Sequence, residues 1–86
     1  MRELEKILKA LANRRRLAIL RYLKEKKEAS VGDVAAAIRL SFKATSRHLS
    51  VLFNSDILEK DQRSLQMFYS IALNQKPFVR QIISIL

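Results

Sequence analysis

Lys43, Ser46, Arg47 and Ser50 recur at intervals of three and four residues, so on a helix they share one polar side. Long cationic donors beside short hydroxyls suit one chemistry in particular. An Arg or Lys reaches the acceptor edge of guanine in a major groove, while a serine hydroxyl adapts to whatever edge it meets. Arg47 is the main base-reading candidate. Ser41, a helix cap by position, is counted with this set. The plain alternative is a solvated helix face, which polar residues opposite an apolar stripe always form. The order of the surrounding elements decides between the two.

Neighbouring side chains are more ambiguous. Phe42 either touches a thymine methyl or shields the adjoining turn, and packing is the favoured role. Thr45 is expected to be half buried, its methyl packed and its hydroxyl bonded to the backbone. His48 sits toward the edge of the apolar side, where it could donate to a phosphate or to a backbone carbonyl. Farther on, Arg63 with Gln62, and more weakly Lys60, are placed to meet a phosphate or a narrow minor groove. Lys and Arg on exposed hairpins also discourage edge pairing, so that reading stays open. Arg14, Arg15 and Arg16 form a basic run at a helix start, where they oppose the dipole. That cost suggests another purpose: Arg14 or Arg15 is expected to meet the DNA backbone, and Arg16 to be structural instead.

Other chemistry is excluded. The chain has no cysteine and one histidine, so thiolate sites, disulfides and clustered imidazoles cannot form within it. No nucleophile lies at a suggestive spacing from a base, and a single glycine cannot make a phosphate-cradling loop. Neither a catalytic site, a cofactor nor a bound metal is expected.

The elements that must position these residues follow from periodicity. Leu4, Ile7, Leu8 and Leu11 give an amphipathic helix over residues 1–12. Asn13 caps a second helix built on Leu17, Ile19, Leu20 and Leu23. Ser30 caps a short helix with Val31, Val34, Ala35 and Ile38, running to about Arg39. Residues 42–54 form the next helix, with Thr45, His48, Leu49 and Leu52 opposite the polar side. From Ile57 the pattern alternates: residues 57–60 and 65–72 read as strands joined by Asp61, Gln62, Arg63 and Ser64, a hairpin with a polar, basic tip. Pro77 opens a final helix within residues 75–86. The fold class is mainly α with a small β-hairpin. Helices followed by a hairpin is the order of a winged helix-turn-helix, with the motif at 30–54 and the wing at 57–72, all one domain over 1–86.

Composition agrees with that assignment. Seventeen Lys and Arg against eight Asp and Glu give a formal charge of +9, on a chain too apolar to be a disordered tail. Such a field attracts phosphate polyanions. No apolar run is long enough to span a bilayer, no broad apolar face is flanked by cations, and Met1 to Leu11 is too charged for a signal peptide. A cytoplasmic location without a membrane partner is expected.

The residues Leu8-Lys-Ala-Leu-Ala-Asn13, Arg16-Leu-Ala-Ile-Leu20, Ser46-Arg-His-Leu49 with Val51-Leu52, and Tyr69 resemble the ArsR/SmtB family of bacterial and archaeal repressors over roughly residues 4 to 73. The resemblance implies a winged-helix homodimer, paired through its first and last helices, that represses a promoter until a signal releases it. The departures matter. Where many members carry a metal-binding cysteine pair at the third helix, this chain has Ser30 and Gly32. Residues 77–86 hold none of the His, Asp or Glu that others use on the last helix. The family also leads one to expect glycine at three turns occupied here by Arg39, Asp56 and Ser64.

Pairing Leu4, Ile7, Leu8 and Leu11 with Phe78, Ile82, Ile85 and Leu86 across a two-fold axis would bury both stripes and present two reading helices to a palindromic site. The expected function is sequence-specific binding of double-stranded DNA by a homodimeric repressor, through an inverted repeat. The competing use of such a fold is protein interaction, RNA binding or nonspecific DNA coating.

Overall fold

In the computed structural model, which describes residues 1–86, the chain forms α1 (Arg2–Leu11), α2 (Arg14–Lys26), β1 (Glu28–Ser30), α3 (Val31–Ile38), α4 (Phe42–Asn54), β2 (Leu58–Arg63), β3 (Gln66–Ile71) and α5 (Pro77–Ser84). Side-chain caps begin three of the helices. Asn13 Oδ1 accepts from the amides of Arg15 and Arg16, Ser30 Oγ from Asp33, and Ser41 Oγ from Ala44. Pro77 stands at the start of α5, where its missing N–H costs nothing. No helix is long and apolar enough to cross a membrane.

The sheet has three antiparallel strands in the order β1-β3-β2, not the two expected. β1 is three residues long, too short for alternation to reveal, yet it pairs Glu28 with Ser70 and Ser30 with Phe68. The hairpin is also longer than its pattern suggested. β2 continues to Arg63, which faces Gln66, so the turn is Ser64–Leu65 and Asp61, Gln62 and Arg63 lie within a strand. Beyond Leu58 every β2 residue is exposed, and an arm wet on both faces shows no apolar period. The tip is therefore apolar on one side of the turn: Leu65 is 98% exposed.

All three positions where glycine was expected have left-handed backbone: Arg39 at φ 56°, Asp56 at 61° and Ser64 at 57°. At Arg39 and Asp56 the reason is helix termination. Leu40 N–H donates to Ala35 and Ile57 N–H to Leu52, the six-to-one bonds that close a helix around a left-handed residue. Lys27 ends α2 at φ 74°, ψ −52°, a region strained for any residue with a Cβ. Lys27→Gly is expected to raise stability by about 1 kcal/mol, the relieved strain exceeding the added chain entropy. Thermal denaturation checks this; a lower Tm would mean that the Lys27 side chain makes a compensating contact.

One core joins the layers. Ile19, Leu20 and Leu23 of α2 meet Val34, Leu49, Leu52, Ile57, Leu58 and Tyr69. The end helices enter the same core, which corrects the expectation that their stripes are held for a partner. Ile7 and Leu11 of α1, and Val79 and Ile83 of α5, are buried within this chain. What faces outward is a second, adjacent stripe. On α1 it comprises Met1, Leu4 and Leu8, the last 46% exposed. At α5 only Ile85 is exposed, while Phe78, Ile82 and Leu86 are half buried and pack partly against the same core. Of the eight residues assigned to pairing, Ile7 and Leu11 are thus committed to the domain's own interior.

Candidate nucleic-acid interface

α4 is positioned by its buried side, Thr45, Leu49 and Leu52. Its outer side carries Lys43, Arg47, Ser50 and Asn54, all exposed, with Ser46 half buried beside them. The helix contains no acidic residue, and neither Lys43 nor Arg47 has a carboxylate within ion-pairing distance. Arg39, exposed in the turn just ahead, adds another unpaired cation. A helix that leaves its cations unneutralised presents a positive stripe of donors to solvent, the electrostatic form that phosphate-flanked base edges accept. Ser41, grouped with these donors, spends its hydroxyl as an acceptor on the α4 amide of Ala44. Phe42 is 61% exposed and is not packed into the domain.

His48 makes no bond to a backbone carbonyl, one of the two partners anticipated for it. Its Nδ1 lies 3.1 Å from Arg16 Nη1. A guanidinium only donates, so Nδ1 accepts and the ring proton sits on Nε2. Burial, then the charges of Arg16, Arg15 and Arg47, holds the imidazole below its ordinary pKa. The ring is therefore neutral at pH 7, with Nε2–H as its free donor.

Arg16 fastens three helices at this point. Its Nε donates to Ala10 O at 2.6 Å and its Nη2 to Lys9 O at 3.0 Å, capping the α1 carboxyl end, while Nη1 reaches α4. Of the basic run, Arg16 is the structural member. The same bonds hold the start of α2, with Arg14 and Arg15, beside α4.

Thr45 is fully buried, at 0% exposure, and its hydroxyl has no hydrogen-bond partner, contrary to the expected backbone bond. Replacing the hydroxyl by a methyl removes an unpaired buried donor without changing shape. Thr45→Val is expected to stabilise the fold by about 1 kcal/mol in chemical denaturation. A destabilised variant would show that the hydroxyl is satisfied in solution.

The wing differs from its sequence reading. Arg63 lies in β2, not at the tip, and its guanidinium is occupied: two bonds of 2.9 and 2.7 Å to the Glu28 carboxylate, one of 3.0 Å to Asp61, and the Phe68 ring 4.8 Å beneath. These partners hold the guanidinium firmly protonated. Glu28 belongs to the unforeseen strand, so nothing in the sequence paired it with a residue 35 positions away. Arg63 reaches a phosphate only by leaving both carboxylates. Lys60 faces the other way, with its ammonium 4.2 Å over the Phe53 ring of α4, and Gln62 is exposed next to it. The fold thus gathers Lys43, Ser46, Arg47, His48 and Ser50 on one helix with Lys60 alongside, and keeps Arg63 apart. Nowhere do three His, Asp or Glu side chains come together as a metal site would require.

The sequence profile described as bacterial regulatory protein, arsR family, matches residues 13–60, which span α2 through the start of the wing. The chain belongs to the arsR family. This is a family of regulatory proteins rather than enzymes. The chain is 36% identical over 66 residues to the transcriptional activator HlyU of Vibrio cholerae, an alignment covering 77% of this chain and 60% of that protein's length. Solved structures share the whole architecture. Reduced HlyU from Vibrio cholerae superposes with a TM-score of 0.83 at 32% identity, over 99% of this chain and 85% of that one. The homodimeric winged helix-turn-helix DNA-binding domain of a possible ArsR-family regulator from Mycobacterium bovis gives 0.82 at 27% identity, over 98% and 74%. The transcriptional repressor PagR of Bacillus anthracis gives 0.79 at 26% identity, over 98% and 92%. The arsR fold is therefore a winged helix-turn-helix here too.

Proposed function

We propose that this arsR-family protein is a cytoplasmic, homodimeric, sequence-specific DNA-binding repressor that reads an inverted repeat. The observation that carries the reading is the outer side of α4, where Lys43 and Arg47 are exposed without carboxylate partners on a helix free of acidic residues. In a winged helix this element enters the major groove, with Arg47 on a base edge, Lys43, Ser46 and Ser50 adapting around it, and His48 Nε2–H directed to a phosphate. Lys60 and Gln62 flank the groove on the wing. The outward stripes of Met1, Leu4 and Leu8 on α1 and of Phe78, Ile82 and Ile85 on α5 supply the apolar area for pairing two copies. The homodimeric Mycobacterium bovis domain supports the dimer, and the repressor PagR supports repression.

The test is selection of bound duplexes from a random DNA pool at near-physiological salt, followed by placing the enriched site over a reporter promoter. An enriched inverted repeat, with half-sites about one helical turn apart, and lowered reporter output is the expected outcome. Retention without enrichment contradicts sequence reading, and raised output contradicts repression.

A further inference from the structure

Three arginines on the outer side of α2 have no part in the site above. Arg14, Arg15 and Arg21 line an open groove between α2 and α3, with Ala18 as its floor, Tyr22, Ala37 and Ile38 along its wall and Glu25 at its far end. None of the three is within ion-pairing distance of a carboxylate, Glu25 included. Elsewhere the chain does neutralise such groups: Arg63 holds Glu28 and Asp61, and Lys76 holds Glu3. Arg14 and Arg21 are two turns apart on one helix side, about 10 Å along the axis, the rise of roughly three steps of a DNA strand.

Location makes the cluster informative. The Arg16 bond to His48 pins the first turn of α2 against α4, so Arg14 and Arg15 stand beside the helix that carries the unpaired cations Lys43 and Arg47. The arginine run is also unfavourable for the helix it begins, because cations at an amino end oppose the dipole, and Asn13 rather than an anion satisfies the amides there. We infer that the α2–α3 groove is a second contact site on the DNA, which seats the phosphodiester backbone flanking the major groove read by α4. Arginine suits this because its fork pairs phosphate oxygens two at a time and is weakly hydrated. An acidic protein segment is the competing occupant, but it lacks the continuity with the α4 face that a single duplex provides.

The inference rests on the DNA-binding reading, and its test separates the two. Dissociation constants for the selected operator and for a scrambled duplex are measured across a salt series, using the full chain, the variant Arg14→Gln/Arg15→Gln/Arg21→Gln, and a control, Lys26→Gln/Lys27→Gln/Arg80→Gln, that loses equal charge elsewhere. Each lost phosphate contact lowers the slope of log K against log salt by about 0.9, so the groove variant is expected to lose about 2 to 3 in slope per bound protomer, about 5 for a dimer. It should weaken both duplexes by the same factor, leaving their ratio intact, while the control keeps the parent slope. Binding by the parent chain with an unchanged slope in the groove variant, or an equal drop in the control, overturns the inference alone. If the parent chain binds no DNA, the proposed function and the inference fall together.

Discussion

Arg47→Ala is expected to weaken binding to the selected operator by about 1–3 kcal/mol per half-site, roughly five- to 150-fold, while binding to scrambled DNA changes far less. Arg47 lies at the middle of the exposed side of α4, one turn from Lys43 and just short of a turn from Ser50, with nothing in its own chain competing for the fork. A bidentate contact to guanine N7 and O6 is lost whole when the side chain is truncated, and only where that guanine is present. A dimer carries two copies, so the loss on an inverted repeat should approach twice that on one half-site. Titration of operator, single-base variants and scrambled duplex decides the matter. Equal weakening on every duplex would make Arg47 a phosphate contact and move base reading to Lys43 or the serines.

The legible and illegible parts of this molecule divide along physical lines. Helices α2, α3 and α4 were readable because each combines a side-chain cap with an apolar face of helical period, and both signals are local. Asn13, Ser30 and Ser41 all cap where the pattern placed them. Left-handed turns at Arg39, Asp56 and Ser64 were legible only through resemblance, since an arginine or serine carries no mark of positive φ. Strand β1 was not legible: three residues hold no period, and its existence depends on a partner forty residues on. That one omission hid the partner of Arg63, because the Glu28 carboxylate lies on the missing strand, while the exposed outer half of β2, which shows no apolar period, is what put Arg63 at the tip. The division of the end helices into an inner and an outer stripe was hidden for a related reason. Periodicity shows that Leu4, Ile7, Leu8 and Leu11 share a broad side, but not that the core claims Ile7 and Leu11 and leaves Leu4 and Leu8 to solvent.

Loss of Arg16 is expected to be the most damaging single change to stability outside the apolar core. Its guanidinium satisfies two carbonyls at the end of α1, where no helical donor remains, and accompanies the negative end of that helix dipole while it donates to His48. Charge-assisted bonds contribute about 1.5–3 kcal/mol each at most, and three from one half-buried group are not additive. Arg16→Ala should therefore cost about 2–3 kcal/mol, or some 10–20 °C in Tm for a domain of this size. Arg16→Lys should recover little, since a single ammonium cannot span Lys9 O, Ala10 O and His48 at once. The clamp also predicts a pH dependence. Because the folded chain holds His48 below its ordinary pKa of about 6.5, the unfolded chain takes up the proton first, and stability falls as pH drops from about 6.5 toward the lowered value. Protonation places imidazolium against guanidinium and removes the Nδ1 acceptor. His48→Gln offers an acceptor that does not titrate and should flatten this part of the profile. Denaturant midpoints from pH 7.5 to 5 test both effects together. An unaltered midpoint in Arg16→Ala would show that α1 is held by Ile7 and Leu11 alone, and a profile unaffected by His48→Gln would assign the acid sensitivity to another group.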